Sequence, residues 1–199
     1  MTIKSLSRSS LENNVFYRSM LAGNAAYDPS QFELIETITV GAGGAASVTF
    51  SNLNTYSTTY QHLQIRYMMR SSIQTNITFI RLNGDTGNNY SWHWMQANGS
   101  SVGSDSGTNS PYIFHYSTAA NNETANYFSA AVTDILDPFE TTKFTTTRTM
   151  FARPGDPYKE VGIASGLWRN TNALTSIQIY PNASNWVQGS RFSIYGLKN

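Results

Sequence analysis

Tyr60-Gln-His-Leu-Gln-Ile-Arg-Tyr-Met-Met-Arg70, then Asn76-Ile-Thr-Phe-Ile-Arg-Leu82, then Tyr90-Ser-Trp-His-Trp-Met-Gln96: the reading of this stretch decides the fold. In the first segment Leu63, Ile65, Tyr67 and Met69 fall at every second position, the period that sends alternate side chains to one face of a strand. The other face carries His62, Gln64, Arg66 and Arg70 and reads as wet. Residues 71–75 lead into the second run, and the turn Asn83-Gly-Asp-Thr-Gly-Asn-Asn89 leads into the third. The expectation is three neighbouring strands at the nucleus of an antiparallel sheet.

Outward from this centre the pattern stays β. Upstream, Phe32-Glu-Leu-Ile-Glu-Thr-Ile-Thr-Val40 alternates, Gly41-Ala-Gly-Gly44 turns, and Ala46-Ser-Val-Thr-Phe50 returns, which predicts a hairpin. Downstream, residues 97–110 are so rich in Gly, Ser, Asn and Asp that they read as an exposed loop. Pro111-Tyr-Ile-Phe-His-Tyr116 is a short strand with Pro at its start, where a missing N–H costs little. Residues 125–136 and 143–152 are two long strands, the second with β-branched Thr145, Thr146, Thr147 and Thr149. Val161-Gly-Ile-Ala-Ser-Gly-Leu-Trp168 alternates large with small, so its Gly162, Ala164 and Gly166 side should lie close beneath another layer or chain. Residues 173–180 and 191–197 read as a terminal pair. Ten or eleven strands with hardly any helix predict an all-β fold: two packed antiparallel sheets, a β-sandwich of jelly-roll type rather than a barrel.

The bulk numbers bound the function classes. A chain of 199 residues suits one all-β domain, and 40% hydrophobic residues supply a core. Only 13% are charged, about half the usual share, so the surface must be largely neutral and polar. Net charge is +1 with no basic run, which argues against a nucleic-acid partner. The absence of Cys excludes disulfides and thiolate metal sites. No apolar run approaches about 18 residues, so no membrane insertion is expected, and no signal-peptide core opens the chain.

Residues 1–30 read differently. Ser9-Ser-Leu-Glu12 has the form of a capping box, which predicts a short helix over residues 10–17. Leu6, Leu11, Val15, Phe16, Met20 and Leu21 are more apolar surface than so short a segment buries on itself. It either packs on its own domain or is an arm that docks on a partner subunit. The expected organisation is an arm over residues 1–30 and a sandwich over residues 31–199.

Reactive constellations do not assemble. His62, His93 and His115 fall on separate strands with no metal-ligand spacing. Asp28, Asp137 and Asp156 each precede Pro, and Asp85 follows Gly, so these read as turn residues. Neither a Gly-x-Ser-x-Gly elbow nor a phosphate-cradling loop is present. The expectation is a non-enzymatic protein with no catalytic residue, no metal and no cofactor. Four aromatics are candidates for binding. Trp92 and Trp94 share a strand face with Tyr90 and are able to stack on sugars, fill a subunit interface or line the core; Trp168 and Trp186 lie near loops and are the better surface candidates.

Ile3-Lys-Ser-Leu-Ser-Arg8, Ser19-Met-Leu-Ala-Gly-Asn24, Phe32-Glu-Leu-Ile-Glu-Thr37, His62-Leu-Gln-Ile-Arg66, Arg81-Leu-Asn-Gly-Asp85, Asn89-Tyr-Ser-Trp92, Ser165-Gly-Leu-Trp-Arg169 and Gly189-Ser-Arg-Phe-Ser-Ile-Tyr-Gly196 resemble virion structural proteins of tailed phages, especially those infecting marine cyanobacteria. The resemblance runs nearly end to end and its motifs are structural. It implies a virion protein assembled in the host cytoplasm, a tail-fibre or appendage component whose residues 1–30 anchor it to other virion proteins or to copies of itself, with trimers the usual assembly. A host surface glycan is the implied ligand for an appendage. The alternatives are a capsid decoration or cement protein and, in another class, a carbohydrate-binding module.

Overall fold

The computed structural model describes residues 32–74, 77–116, 118–153, 155 and 159–198. The expected N-terminal helix and the anchor residues Leu6, Leu11, Val15, Phe16, Met20 and Leu21 lie outside these. Among the described residues there are twelve strands: β1 (Phe32–Thr39), β2 (Val48–Phe50), β3 (His62–Met69), β4 (Ile77–Leu82), β5 (Tyr90–Ala97), β6 (Val102–Ser110), β7 (Ile113–Tyr116), β8 (Ser129–Leu136), β9 (Thr145–Arg153), β10 (Glu160–Trp168), β11 (Ile177–Pro181) and β12 (Arg191–Leu197). They form two antiparallel sheets, one of eight strands in the order β1-β12-β3-β8-β9-β10-β5-β6 and one of four in the order β2-β11-β4-β7.

The protein is an all-β sandwich. On β3 the alternating Leu63, Ile65, Tyr67 and Met69 are buried, as the period-2 pattern requires. The smaller sheet meets them with Phe50, Ile80, Leu82, Ile113, Ile177 and Ile179, all at most 1% exposed. On β9 the inward positions are Thr145, Thr147, Thr149, Phe151 and Arg153.

Strand pairing differs from the expected hairpins. β3 and β5 share a sheet but are separated by β8, β9 and β10, while β4 joins the other sheet. β1 and β2, expected as a hairpin, also lie in different sheets, as do β11 and β12. The reason is that alternation reports which face of a strand is apolar and not which of two apolar layers it joins; β5–β6 and β8–β9–β10 stay within one sheet, while the other consecutive strands cross the sandwich. Gly44 makes one crossing possible, with a φ of 69° and a position where a Cβ would lie 2.9 Å from the Trp186 carbonyl oxygen. Ala45 and Trp186 there exchange backbone bonds of 3.0 and 2.8 Å.

Polar side chains pin the crossings. The Tyr90 hydroxyl on β5 accepts from the Leu82 N–H at 3.0 Å and donates to the Leu82 carbonyl at 3.1 Å, joining the two sheets. Asn83, with φ 54°, accepts through Oδ1 from the N–H groups of Thr175 and Ser176 at 2.7 and 3.1 Å.

Residues 102–110 form an edge strand, not the expected loop. β6 needs only its backbone to pair with β5, and its small residues suit what lies beneath: a Cβ at Gly107 would sit 2.5 Å from the Trp92 ring, and one at Gly103 3.5 Å from Trp94. Its polar composition leaves a free edge that resists pairing with other sheets.

Candidate functional site

The four tryptophans turn inward. Trp168 and Trp186 are 1% and 0% exposed, Trp94 is 7% exposed, and Trp92 is half-buried. Trp92 and Trp94 pack on Phe114 and Tyr116 of β7, with ring centroids 4.7 Å apart for Trp92 and Phe114 and 4.6 Å for Trp94 and Tyr116. Trp168 donates through Nε1 to Asp85 Oδ2 at 2.7 Å, and Trp186 donates to the Ile179 carbonyl at 3.2 Å. The preference of Trp168 and Trp186 for the surface is therefore corrected: an indole beside a turn in sequence fills the gap between layers where the turn folds back. As sugar-stacking platforms, Trp94, Trp168 and Trp186 present no open ring face.

The three histidines lie in different surroundings. His93 is exposed on the outer face of β5, and His62 accepts through Nδ1 from the Asp137 backbone N–H at 3.0 Å. His115 is fully buried: Nε2 lies 3.0 Å from the Tyr67 hydroxyl, which lies 2.7 Å from Thr133 Oγ1, itself 2.8 Å from Thr149 Oγ1. Burial pushes the His115 imidazole down to about 4, against a weaker opposing bond to the Tyr116 carbonyl. Burial likewise holds the Tyr67 hydroxyl far above the ordinary phenol value. A neutral imidazole and a protonated phenol inside the core act as a cross-sheet hydrogen-bond chain.

Asp85 and Asp137 are occupied in the same way. Burial would raise the Asp85 carboxyl, but donation from Trp168, Asn89 and the Gly87 N–H outweighs it and lowers the group below the usual range. Asp137 is lowered mainly by its bond to Lys143, with Gln61 also donating at 3.2 Å. Asp137, Glu140 and Lys143 line a cleft of about 470 Å³ with Tyr60 and Phe139. Its acids are already paired, Glu140 with the Thr142 hydroxyl at 3.1 Å. Among the described residues no group of three His, Cys, Asp or Glu is placed to hold a metal ion.

The outer face of the eight-stranded sheet is different. Met68, Met95, Val102, Met150, Val161 and Ile163 point outward from β3, β5, β6, β9 and β10 and are between 46% and 75% exposed. The register lines them up: Met68 pairs with Ala130, Ala130 with Ala152, Ala152 with Val161, Val161 with Ala97, and Ala97 with Val102. A second row runs through Val132, Met150, Ile163 and Met95. The result is one continuous apolar strip across six strands, about 24 Å wide at the usual strand spacing. It presents roughly 600 Å² of apolar surface, at the upper end of what monomeric proteins expose.

Sequence reasoning missed this strip. A signal was present, because Val161, Ile163 and Leu167 alternate with Gly162, Ala164 and Gly166, leaving β10 apolar on both faces. Such a strand is built to be covered on both sides. The small side is covered: a Cβ at Gly166 would sit 2.5 Å from Ile113 of the opposite sheet. The large side is the strip.

No family model and no curated protein matches the chain. Solved structures of the alginate lyase Aly36B are similar over most of their length. A variant with bound alginate tetrasaccharide has 8% identity and a TM-score of 0.28, covering 93% of this chain and 91% of that one. A variant with bound trisaccharide has 8% identity and a TM-score of 0.28 over 93% and 92%. The lyase itself has 8% identity and a TM-score of 0.25 over 94% and 91%. Likenesses of that size carry no conclusion about the chemistry of this chain.

Proposed function

We propose that this chain is a non-enzymatic structural subunit of a tailed-phage virion, a tail-fibre or appendage component held to other virion proteins or to its own copies. The apolar strip across six strands is the observation that carries the reading, because a surface of that size and continuity is suited to association. Strand order supports a jelly-roll type: β1-β12-β3-β8 opposite β2-β11-β4-β7 is two interlocked four-stranded sheets, with the β5–β6 and β9–β10 hairpins extending one of them. Jelly rolls build viral capsid and lectin domains, which is an argument from fold-level analogy. The resemblance to cyanophage virion proteins points the same way. Residues 1–30, with their predicted helix, are the proposed anchor.

Cryo-electron microscopy of particles whose genome encodes the chain tests this. Density for the sandwich on the tail or its fibres is the expected result; density on the capsid lattice would make it a decoration protein instead. Deleting residues 1–30 should leave a folded sandwich that no longer joins particles. Purified particles lacking the chain by mass spectrometry would overturn the virion reading altogether.

A further inference from the structure

The apolar strip is shaped to fit a copy of itself. Its side chains stand in two rows, two residues apart along the strands. Over the four central strands one row, Ala130, Ala152, Val161 and Ala97, is mostly small, with the larger Met68 and Val102 at its two ends; the next, Val132, Met150, Ile163 and Met95, is mostly large. A two-fold axis lying in the contact plane, across the strands and midway between the rows, brings the large row of one copy over the small row of the other, and the reverse. We propose that the chain forms an isologous dimer through this strip, its eight-stranded sheets packed face to face. The proposal deepens the reading above and rests on its premise that the chain works by association.

Area and charge both favour a second copy. Roughly 600 Å² from each partner places the pair at the lower end of specific interfaces, before any contribution from the rim. Charges stand at the ends of the apolar rows or beyond them: Arg66 lies opposite Val132 at the β3 end of the large row, and Arg191 of β12 lies opposite Met68 at the same end of the small row. Asp134 and Arg148 already pair at 2.8 Å, and the Arg66 guanidinium lies 4.7 Å over the Phe32 ring, turned towards β1. Face-to-face packing centred on β8, β9, β10 and β5, whose members of both rows are uncharged, therefore closes the strip with the Arg66 and Arg191 guanidinium groups at its rim. The outer face also contains His93, one row beyond Met95, opposite Ser165 and Ser106, so it stays at the wet margin.

Analytical ultracentrifugation of the full chain from about 1 to 200 µM is the test, since that range spans the affinities expected of an interface this small. The expected result is a two-chain mass that dissociates on dilution. Met150→Glu with Ile163→Glu should weaken the association by about 100-fold or more, because each carboxylate would be driven into the opposing apolar row. Circular dichroism and the urea midpoint should stay near wild type, since both positions are outward-facing. The chain has no Cys, so single substitutions report geometry: Met150→Cys mixed with Ala152→Cys should cross-link through a short bis-maleimide faster than either alone. A single-chain or three-chain mass throughout the range overturns the proposal, as does a dimer indifferent to the double Glu change. So does a monomer whose Met150→Cys resists maleimide until residues 1–30 are removed, which would make the chain's own arm the occupant. A monomer in solution that is still found in particles refutes self-docking and leaves the virion reading intact.

Discussion

Lowering the pH from 7.5 to 4 sets His115 against the folded state. Its imidazole, buried and bonded to Tyr67, titrates at about 4 in the fold and at the ordinary value of 6.5 when exposed. The unfolded chain therefore takes up the proton first. The stability tied to the neutral ring is fully present above about pH 6.5 and is lost as the pH falls towards 4. By linkage the loss is about 2 kcal/mol at pH 5 and about 3 kcal/mol at pH 4, a large share of the 5–15 kcal/mol typical of a domain. Asp85 and Asp137, both lowered, contribute stability that is present above the unfolded carboxylate value and disappears only in stronger acid. Glu160 is raised by burial, so its stability is fully present at low pH and is lost as the pH rises through its folded value. Urea unfolding at pH 7.5, 6, 5 and 4 on the wild type and on His115→Gln cancels these carboxylates. The wild type should lose about 2 kcal/mol more than the variant between pH 7.5 and 5. Parallel curves for the two proteins, or an imidazole resonance titrating near 6.5 in the folded wild type, would refute the reasoning.

Two further substitutions test the packing. At Gly196 an added Cβ would lie 2.2 Å from the Tyr60 ring, so Gly196→Ala should cost about 1–3 kcal/mol in urea unfolding with an unchanged m-value; a neutral result would mean that the ring moves freely aside. Trp168→Phe keeps most of the buried ring and removes the donor to Asp85, and a double-mutant cycle with Asp85→Asn should return a coupling of about 1–2 kcal/mol; a coupling near zero would show that the indole matters by its volume alone.

Much of the fold was legible because it depends on local physics. Period-2 patterns at residues 62–69 and 129–136 report a half-buried strand wherever they fold, and Gly-rich turns report where the chain reverses. The candidate site was less legible. Met150 follows a run of threonines, and Met68 shares its strand face with Arg66 and Arg70, so neither signals a patch until β3, β8, β9, β10, β5 and β6 lie side by side. Only the two-sided apolar pattern of β10 gave a local hint.

By itself the sequence determined the all-β class, the inward face of β3 and the need for small residues on one side of β10, because these follow from side-chain alternation and volume along one strand. Tertiary structure alone decided that β4 crosses to the smaller sheet, that residues 102–110 pair as an edge, and that Trp168 and Trp186 are core. It alone assembled the outer strip. Each of these depends on which strands become neighbours, and neighbours far apart in sequence are chosen by the joint covering of two sheets, a condition that no single segment carries.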